Sequence, residues 1–277
     1  MKLHHRLLEK IFKLSNRKFS KKHSFRILNV HDILEKDFDN LEEIIINLKK
    51  NWHFIEPSQL STVNKINQNC ILLTFDDGYK SQKYFADKVL NKHSIKAIFF
   101  VITNFINCNS KDEAERFVLK NIDTSIIPKS VRFSEINNMN FNDLKELISN
   151  NHLIGSHTVN HRKLTEISDF KDLNFEIQSS KQQLESVLNY PINNFAWTYG
   201  DINSINRNIY KLIKKNYHNI FSGIRGNNFH KYASSVYFRD ELSPFYSKDL
   251  VKAFLNGYSD FYYYNNRKRL MNFDKDV

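Results

Sequence analysis

The chain has 277 residues, 41% hydrophobic and 26% charged, which suits one large α/β domain with a substantial core and excludes bulk disorder. A formal charge of +11 favours anionic surroundings such as phospholipid headgroups or acidic glycans, and no RRM, zinc-finger or helix-turn-helix signature makes nucleic acid an expected partner. Cys70 and Cys108, the only cysteines, make no disulfide framework and read as free thiols in a reducing compartment.

In the basic N-terminal segment, residues 1–24, Leu3, Leu7, Ile11 and Leu14 recur at helical spacing between Lys and Arg. That pattern suits an interfacial membrane helix or an ordinary docking helix. The segment has no continuous apolar stretch and no small-residue cleavage site, so it does not read as a signal peptide. The longest interior apolar run, Ala97 to Ile102, is far short of the ~20 residues of a bilayer span. The expectation is a cytoplasmic protein with peripheral contact to an anionic inner membrane face.

From Phe25 onward, short apolar runs alternate with amphipathic helical patterns, as strands joined by crossover helices around a parallel sheet or barrel do. FRILNV (Phe25 to Val30) is the first strand, and Leu41, Ile44, Ile45 and Leu48 give one face of the next helix. CILLTF (Cys70 to Phe75) is a strand that ends at Asp76 and Asp77. A helix over Ser81 to Lys92 leads to KAIFFVI, so uniformly apolar that both its faces must be covered. Residues Asn104 to Met139 interrupt the alternation and predict a loop-rich insertion near the working face. NFNDLKELISN restores a helix, with Asn140 or Asn142 as N-cap. There follow a strand in HLIGSH, a long helix from Asp169 to Leu188, a strand in NNFAW and a helix from Ser204 to Lys215. NIFSGI and SSVYFR are late strands, and Lys248 to Leu255 is the last helix. The aromatic, basic tail, residues 259–277, reads as a packed terminus or as a grip on a sugar or headgroup.

Three strands end in polar clusters, TFDDG, IGSHTVNH and FAWTYGD, and the carboxyl ends of parallel strands are where catalytic groups gather. Adjacent carboxylates at the mouth of a core repel and need compensation. His157 and His161, in H-x-x-x-H spacing, would project from a helical turn to one side, and with one carboxylate they make a catalytic metal set. Trp52, Phe54, Phe99 and Phe100 read as core. Trp197 follows a strand into the site loop and is placed either for stacking on a sugar or for core packing. No G-x-S-x-G elbow points to a serine hydrolase.

With these motifs in this order, the chain resembles the polysaccharide deacetylase family, carbohydrate esterase family 4, whose NodB-homology domain is a distorted (β/α) barrel. The first family motif is complete in Thr74 to Gly78, the second in His157 to His161, and ILNVHDI is similar to an early family strand with His31 kept. The resemblance covers roughly Arg26 to Leu242. It implies an α/β fold of about seven strands with an inserted loop region, over residues 25–258. It also implies removal of N-acetyl groups from amino sugars of an envelope polysaccharide or its lipid-linked precursor.

By the resemblance, Asp77, His157 and His161 would hold Zn2+, or Co2+, Ni2+ or Mn2+. Asp76 would be the general base, and the Tyr199 backbone N–H would bind the oxyanion. Trp197 and Tyr79 are the expected substrate contacts. The third motif departs from the family: Thr198 stands where relatives have Pro, and the arginine that pairs with the base is missing from the segment. Arg225 and Arg239 are the candidates to replace it, with Arg239 preferred. No Leu-x-x-His motif supplies a general acid, and His218 and His230 are the nearest late histidines. Two rival readings follow from these gaps and from the basic charge: a catalytically weak or inactive carbohydrate-binding protein on the same fold, and a polyprenyl-phosphate-sugar deacylase.

Overall fold

A computed structural model of the chain describes residues 3–14, 23–122, 136–229 and 235–274. The strands are β1 (Phe25–Val30), β2 (His53–Phe54), β3 (Cys70–Phe75), β4 (Ala97–Val101), β5 (Leu153–Ser156), β6 (Asn194–Ala196), β7 (Asn219–Phe221), β8 (Val236–Tyr237) and β9 (Asp240–Glu241). They form one curled sheet in the order β8-β7-β6-β5-β4-β3-β1-β9, with β2 paired to the start of β3 off that path. Every pairing is parallel, and β1 lies on β3 with Asn29 opposite Thr74.

Alternation along the strands sorts two cores. Phe25 and Ile27 of β1, Leu72 of β3, Phe100 of β4 and Phe221 of β7 cluster inside the curl. Their neighbours Leu28, Leu73, Phe75 and Phe99 face out and pack beneath helices, among them Phe38–Lys49, which buries Leu41, Ile44, Ile45 and Leu48 as its spacing predicts. Asn29 and Thr74 share the inward parity of the first set. The interior is therefore apolar below and polar at the carboxyl ends.

The two edges of the sheet come together. β8 and β9 lie at opposite ends of the strand order, yet only Phe238 and Arg239 separate them in sequence. Three peptide steps reach at most ~11 Å, about two strand spacings of ~4.8 Å, so the sheet must curl almost onto itself. Asn228 fills the seam. Its backbone N–H donates to the Phe25 carbonyl at 2.8 Å, while its side-chain amide donates to the Phe238 carbonyl and accepts from the Phe238 N–H.

A buried charge cluster fastens the outside of this seam. Arg26 makes paired hydrogen bonds of 2.7 Å to Asp240 and of 2.8 and 3.0 Å to Asp260. Arg267 donates to the backbone carbonyls of Arg225 and Asp260. The aromatic, basic tail is thus a packed terminus at these points: its helix Tyr264–Asp274 buries Leu270 and Phe273.

The expected insertion is only partly loop. Thr103–Ile106 and Lys111–Asn121 are helices, the second capped by Ser110, and residues 123–135 lie outside the described residues. Among the described residues no helix is long and apolar enough to cross a membrane.

Candidate active site

β3 carries its inward column past Thr74 to Asp76, which is buried and lines a cavity of about 400 Å³ at the carboxyl ends of the strands. Strict alternation would send Asp77 outward. Instead Asp77 adopts φ +79° and Gly78 φ +97°, and the reversal brings Asp77 to the same cavity. Such left-handed backbone is rare for a residue with a Cβ and is found where a site over-determines it.

Arg239, delivered by the seam, neutralises Asp76. Its Nη1 donates to Oδ1 at 2.7 Å and its Nη2 to Oδ2 at 2.9 Å, a two-pronged pair with both partners buried. The guanidinium also donates to the Ser222 carbonyl and the Asn29 side-chain oxygen and lies over the Phe100 ring. Asn29 Nδ2 adds a 3.0 Å bond to Asp76 Oδ2. Burial alone would raise the Asp76 carboxyl. The Arg239 guanidinium, through its charge and its paired hydrogen bonds, outweighs this and holds the group well below the usual carboxylate range.

Asp77 has a different environment. Its buried Oδ1 has no hydrogen-bond partner, and the Nε2 atoms of His157 and His161 both lie 3.7 Å away. One ligand atom from each of the three residues falls within 4.8 Å of the others. The opposite ring nitrogens are engaged: His157 Nδ1 with the Ala196 carbonyl at 2.7 Å and His161 Nδ1 with the Asn121 carbonyl at 3.1 Å. Those bonds place the proton on Nδ1 and leave each Nε2 lone pair toward Asp77. Burial holds the His157 imidazole neutral, down at about 4. Two imidazole Nε2 atoms and an orphaned buried carboxylate oxygen fit a divalent metal of the zinc type.

The histidines converge without the helical turn that their spacing predicts. Residues 157–161 form a loop in which Thr158 takes φ +70° and His161 φ +61°. Glu176, fully buried, organises it by accepting the N–H groups of Val159 and Asn160 at 3.0 and 2.8 Å and the Asn160 side chain at 2.8 Å.

On the third side, Tyr199 and Gly200 are consecutive left-handed residues, φ +64° and +65°. The Gly200 carbonyl accepts from Gly223 N at 2.8 Å, and a Cβ on Gly200 would stand 2.7 Å from that nitrogen. Thr198 is buried and donates its hydroxyl to the Arg162 carbonyl, which ties this turn to the histidine loop.

Residues 64–218, more than half of the chain, match the family model described as polysaccharide deacetylase. The chain belongs to the polysaccharide deacetylase family. Solved structures with the same fold include BC0361, a polysaccharide deacetylase from Bacillus cereus, at 19% identity and a TM-score of 0.63, covering 84% of this chain and 69% of that one. The Streptococcus pyogenes deacetylase PplD, solved in complex with acetate, matches at 18% and 0.62, covering 84% and 98% of the two chains. IcaB from Ammonifex degensii matches at 16% and 0.61, covering 84% and 97%. At these identities the likeness is one of fold. Comparison with curated protein sequences gave no match.

As a polysaccharide deacetylase fold, the chain brings Asp76, Asp77, His157, His161, Tyr199 and Arg239 to one cavity. Arg225 serves elsewhere, bonding Asp240 and the Glu241 carbonyl. Both expected substrate contacts, Trp197 and Tyr79, line the cavity, and both are buried. Trp197 is fully buried and donates its indole N–H to Ser204 Oγ and the Asp201 carbonyl, so it walls the cavity from behind and offers no stacking face. Tyr79 is packed edge-on against Phe105. The exposed aromatic at the mouth is Tyr199, 49% accessible.

His218 makes its backbone bond to Asn193 away from the cavity lining, and His230 lies outside the described residues. His31, on the loop after β1, does line the cavity, with Nε2 4.0 Å from Asp76 Oδ2. Asn29 and Glu176 were missed in sequence. The available signals were a polar residue at an inward position of an apolar strand, and an acid three residues from Leu173 on the buried face of a helix.

Proposed function

We propose that the chain is a metal-dependent hydrolase that removes N-acetyl groups from amino sugars of a cell-envelope polysaccharide or its lipid-linked precursor. The observation that carries this reading is the unpartnered Asp77 Oδ1 facing the Nε2 atoms of His157 and His161, beside a second carboxylate kept ionised by Arg239. Asp77, His157 and His161 would hold Zn2+, or Co2+, Ni2+ or Mn2+. When bound, such an ion polarises the acetamide carbonyl and acidifies water.

Asp76 is the general base. Its Oδ2 accepts from both Arg239 and Asn29, whereas Oδ1 accepts once, so Oδ1 keeps a lone pair for the proton of the attacking water. Arg239 orients the carboxylate and keeps it deprotonated. The Tyr199 backbone N–H, shaped by the left-handed turn, donates to the oxygen that gains charge as the carbonyl carbon becomes tetrahedral. His31, about half exposed on the cavity lining, is the group that returns a proton to the leaving amine. The cavity volume suits one sugar ring with its acetamide.

The test is acetate release from N-acetylglucosamine oligomers by the zinc-loaded chain, read beside Asp76→Asn and His157→Ala. Asp76→Asn is expected to retain about one metal equivalent by elemental analysis and to lose acetate release; His157→Ala is expected to lose the metal. Unchanged turnover in Asp76→Asn would overturn the base assignment. Glycan binding by the metal-loaded chain with no release of acetate would make it a carbohydrate-binding protein on this fold.

A further inference from the structure

The N-terminal helix Leu3–Leu14 uses one face to dock. His5, Leu8 and Phe12 pack on the helix Lys248–Leu255 and its C-terminal turn, with His5 edge-on to Phe254 and Tyr246 and Phe12 edge-on to Tyr258. A different stripe, Leu7, Ile11 and Leu14, repeats at i, i+4 and i+7 and stays exposed at 57%, 44% and 86%. Single exposed leucines need no explanation, but three in register on one helix face that is not needed for docking do. Arg6 and Lys10, both exposed, border the stripe, and Lys13 adds a third cation tied to Glu9 and Asp249.

We propose that this stripe is a membrane-surface contact, in which Leu7, Ile11 and Leu14 enter the headgroup boundary of an anionic bilayer while Arg6 and Lys10 meet its phosphates. Charge complementarity selects this occupant. The flanking cations and a chain charge of +11 match an anionic lipid surface and would repel a second copy of the chain. Three aliphatic side chains also fall far short of the roughly 20 residues per side of a stable protein interface, whereas one short amphipathic helix is enough for reversible, salt-sensitive lipid binding. The inference stands apart from the catalytic reading, since no residue of the stripe lines the cavity.

The experiment is co-sedimentation of the full chain with vesicles of equimolar phosphatidylcholine and phosphatidylglycerol, at low and high salt, with phosphatidylcholine vesicles as control. The expected result is binding to anionic vesicles that weakens with salt, falls at least about tenfold in Leu7→Ser/Ile11→Ser/Leu14→Ser, and falls also in Arg6→Gln/Lys10→Gln. The substituted side chains are exposed, and a thermal melt verifies that each variant stays folded. An unbound parent chain, or a triple variant that binds as well as the parent, overturns the proposal. So does a dimer in sedimentation equilibrium that the triple variant dissociates while neither binds vesicles, because a second copy then covers the stripe.

Discussion

Replacing Arg239 by Met removes the fork from Asp76 while keeping an unbranched chain over Phe100. The substitution strands a buried carboxylate that loses bonds of 2.7 and 2.9 Å and keeps only the Asn29 amide, and it leaves the Ser222 carbonyl without its donor. Breaking a buried pair from one side costs about 3–5 kcal/mol. For a chain of this length that is a drop in melting temperature of roughly 10 °C.

The pH dependence should also change sign. In the parent the folded Asp76 carboxyl sits below its unfolded value near ~3.9, so its stabilisation is complete above that value and fades as pH falls toward the folded one. Without Arg239, burial dominates and the folded value rises above ~3.9, so the group costs stability as pH increases through the window between them. Urea unfolding of the chelator-treated proteins from pH 3 to pH 7, followed by the fluorescence of the buried Trp197, should show a gap that widens with pH. A gap below about 1 kcal/mol, or one independent of pH, would refute the claim that Arg239 neutralises Asp76, because a surface pair behaves that way.

Glu176→Gln turns an NH2 toward N–H donors of the histidine loop, so metal affinity is expected to fall about 10–100-fold by competition with a chelator, with a stability loss of only about 1–3 kcal/mol. His157 titrates at about 4 in the fold against ~6.5 unfolded, so between those values the unfolded chain binds the extra proton and stability falls as pH is lowered. Removing that group in His157→Gln should take about 3 kcal/mol off the acid-induced loss measured by denaturant unfolding of the metal-free protein. Gly200→Ala must hold a Cβ at φ +65°, 2.7 Å from Gly223 N, and should cost at least ~2 kcal/mol and lower acetate release together. His31→Ala should slow acetate release while elemental analysis finds the metal content unchanged.

The longer strands were legible because their apolar runs are bounded by turn residues, and β1 and β3 fall on Phe25 to Val30 and Cys70 to Phe75 as read. β2 and β9 were not, since two residues carry no period, and β9 is the charged pair Asp240–Glu241. The site motifs gave the identities that meet in the cavity but misjudged the backbone that joins them. H-x-x-x-H suggested a helical turn, whereas the loop depends on Thr158 and His161 in left-handed conformations and on Glu176 far along the chain. Arg239 was the preferred of two candidates, but how it reaches Asp76 lies in the sheet order, which no local pattern contains. Trp197 shows the converse limit, because a position after a strand does not say which way a ring faces.

The two-residue link between β8 and β9 has a consequence for the order of assembly. A chain that has paired β1 with β3 through β7 already carries Asp76, Asp77, His157 and His161, but it has no cation for Asp76 until the last strands close the curl. Any such state that buries Asp76 before those strands arrive carries an unbalanced charge and is disfavoured by the several kcal/mol that Arg239 offsets in the complete fold. Closure and the readiness of the base are therefore one cooperative event: the chain acquires a competent carboxylate only when its final strands are in place.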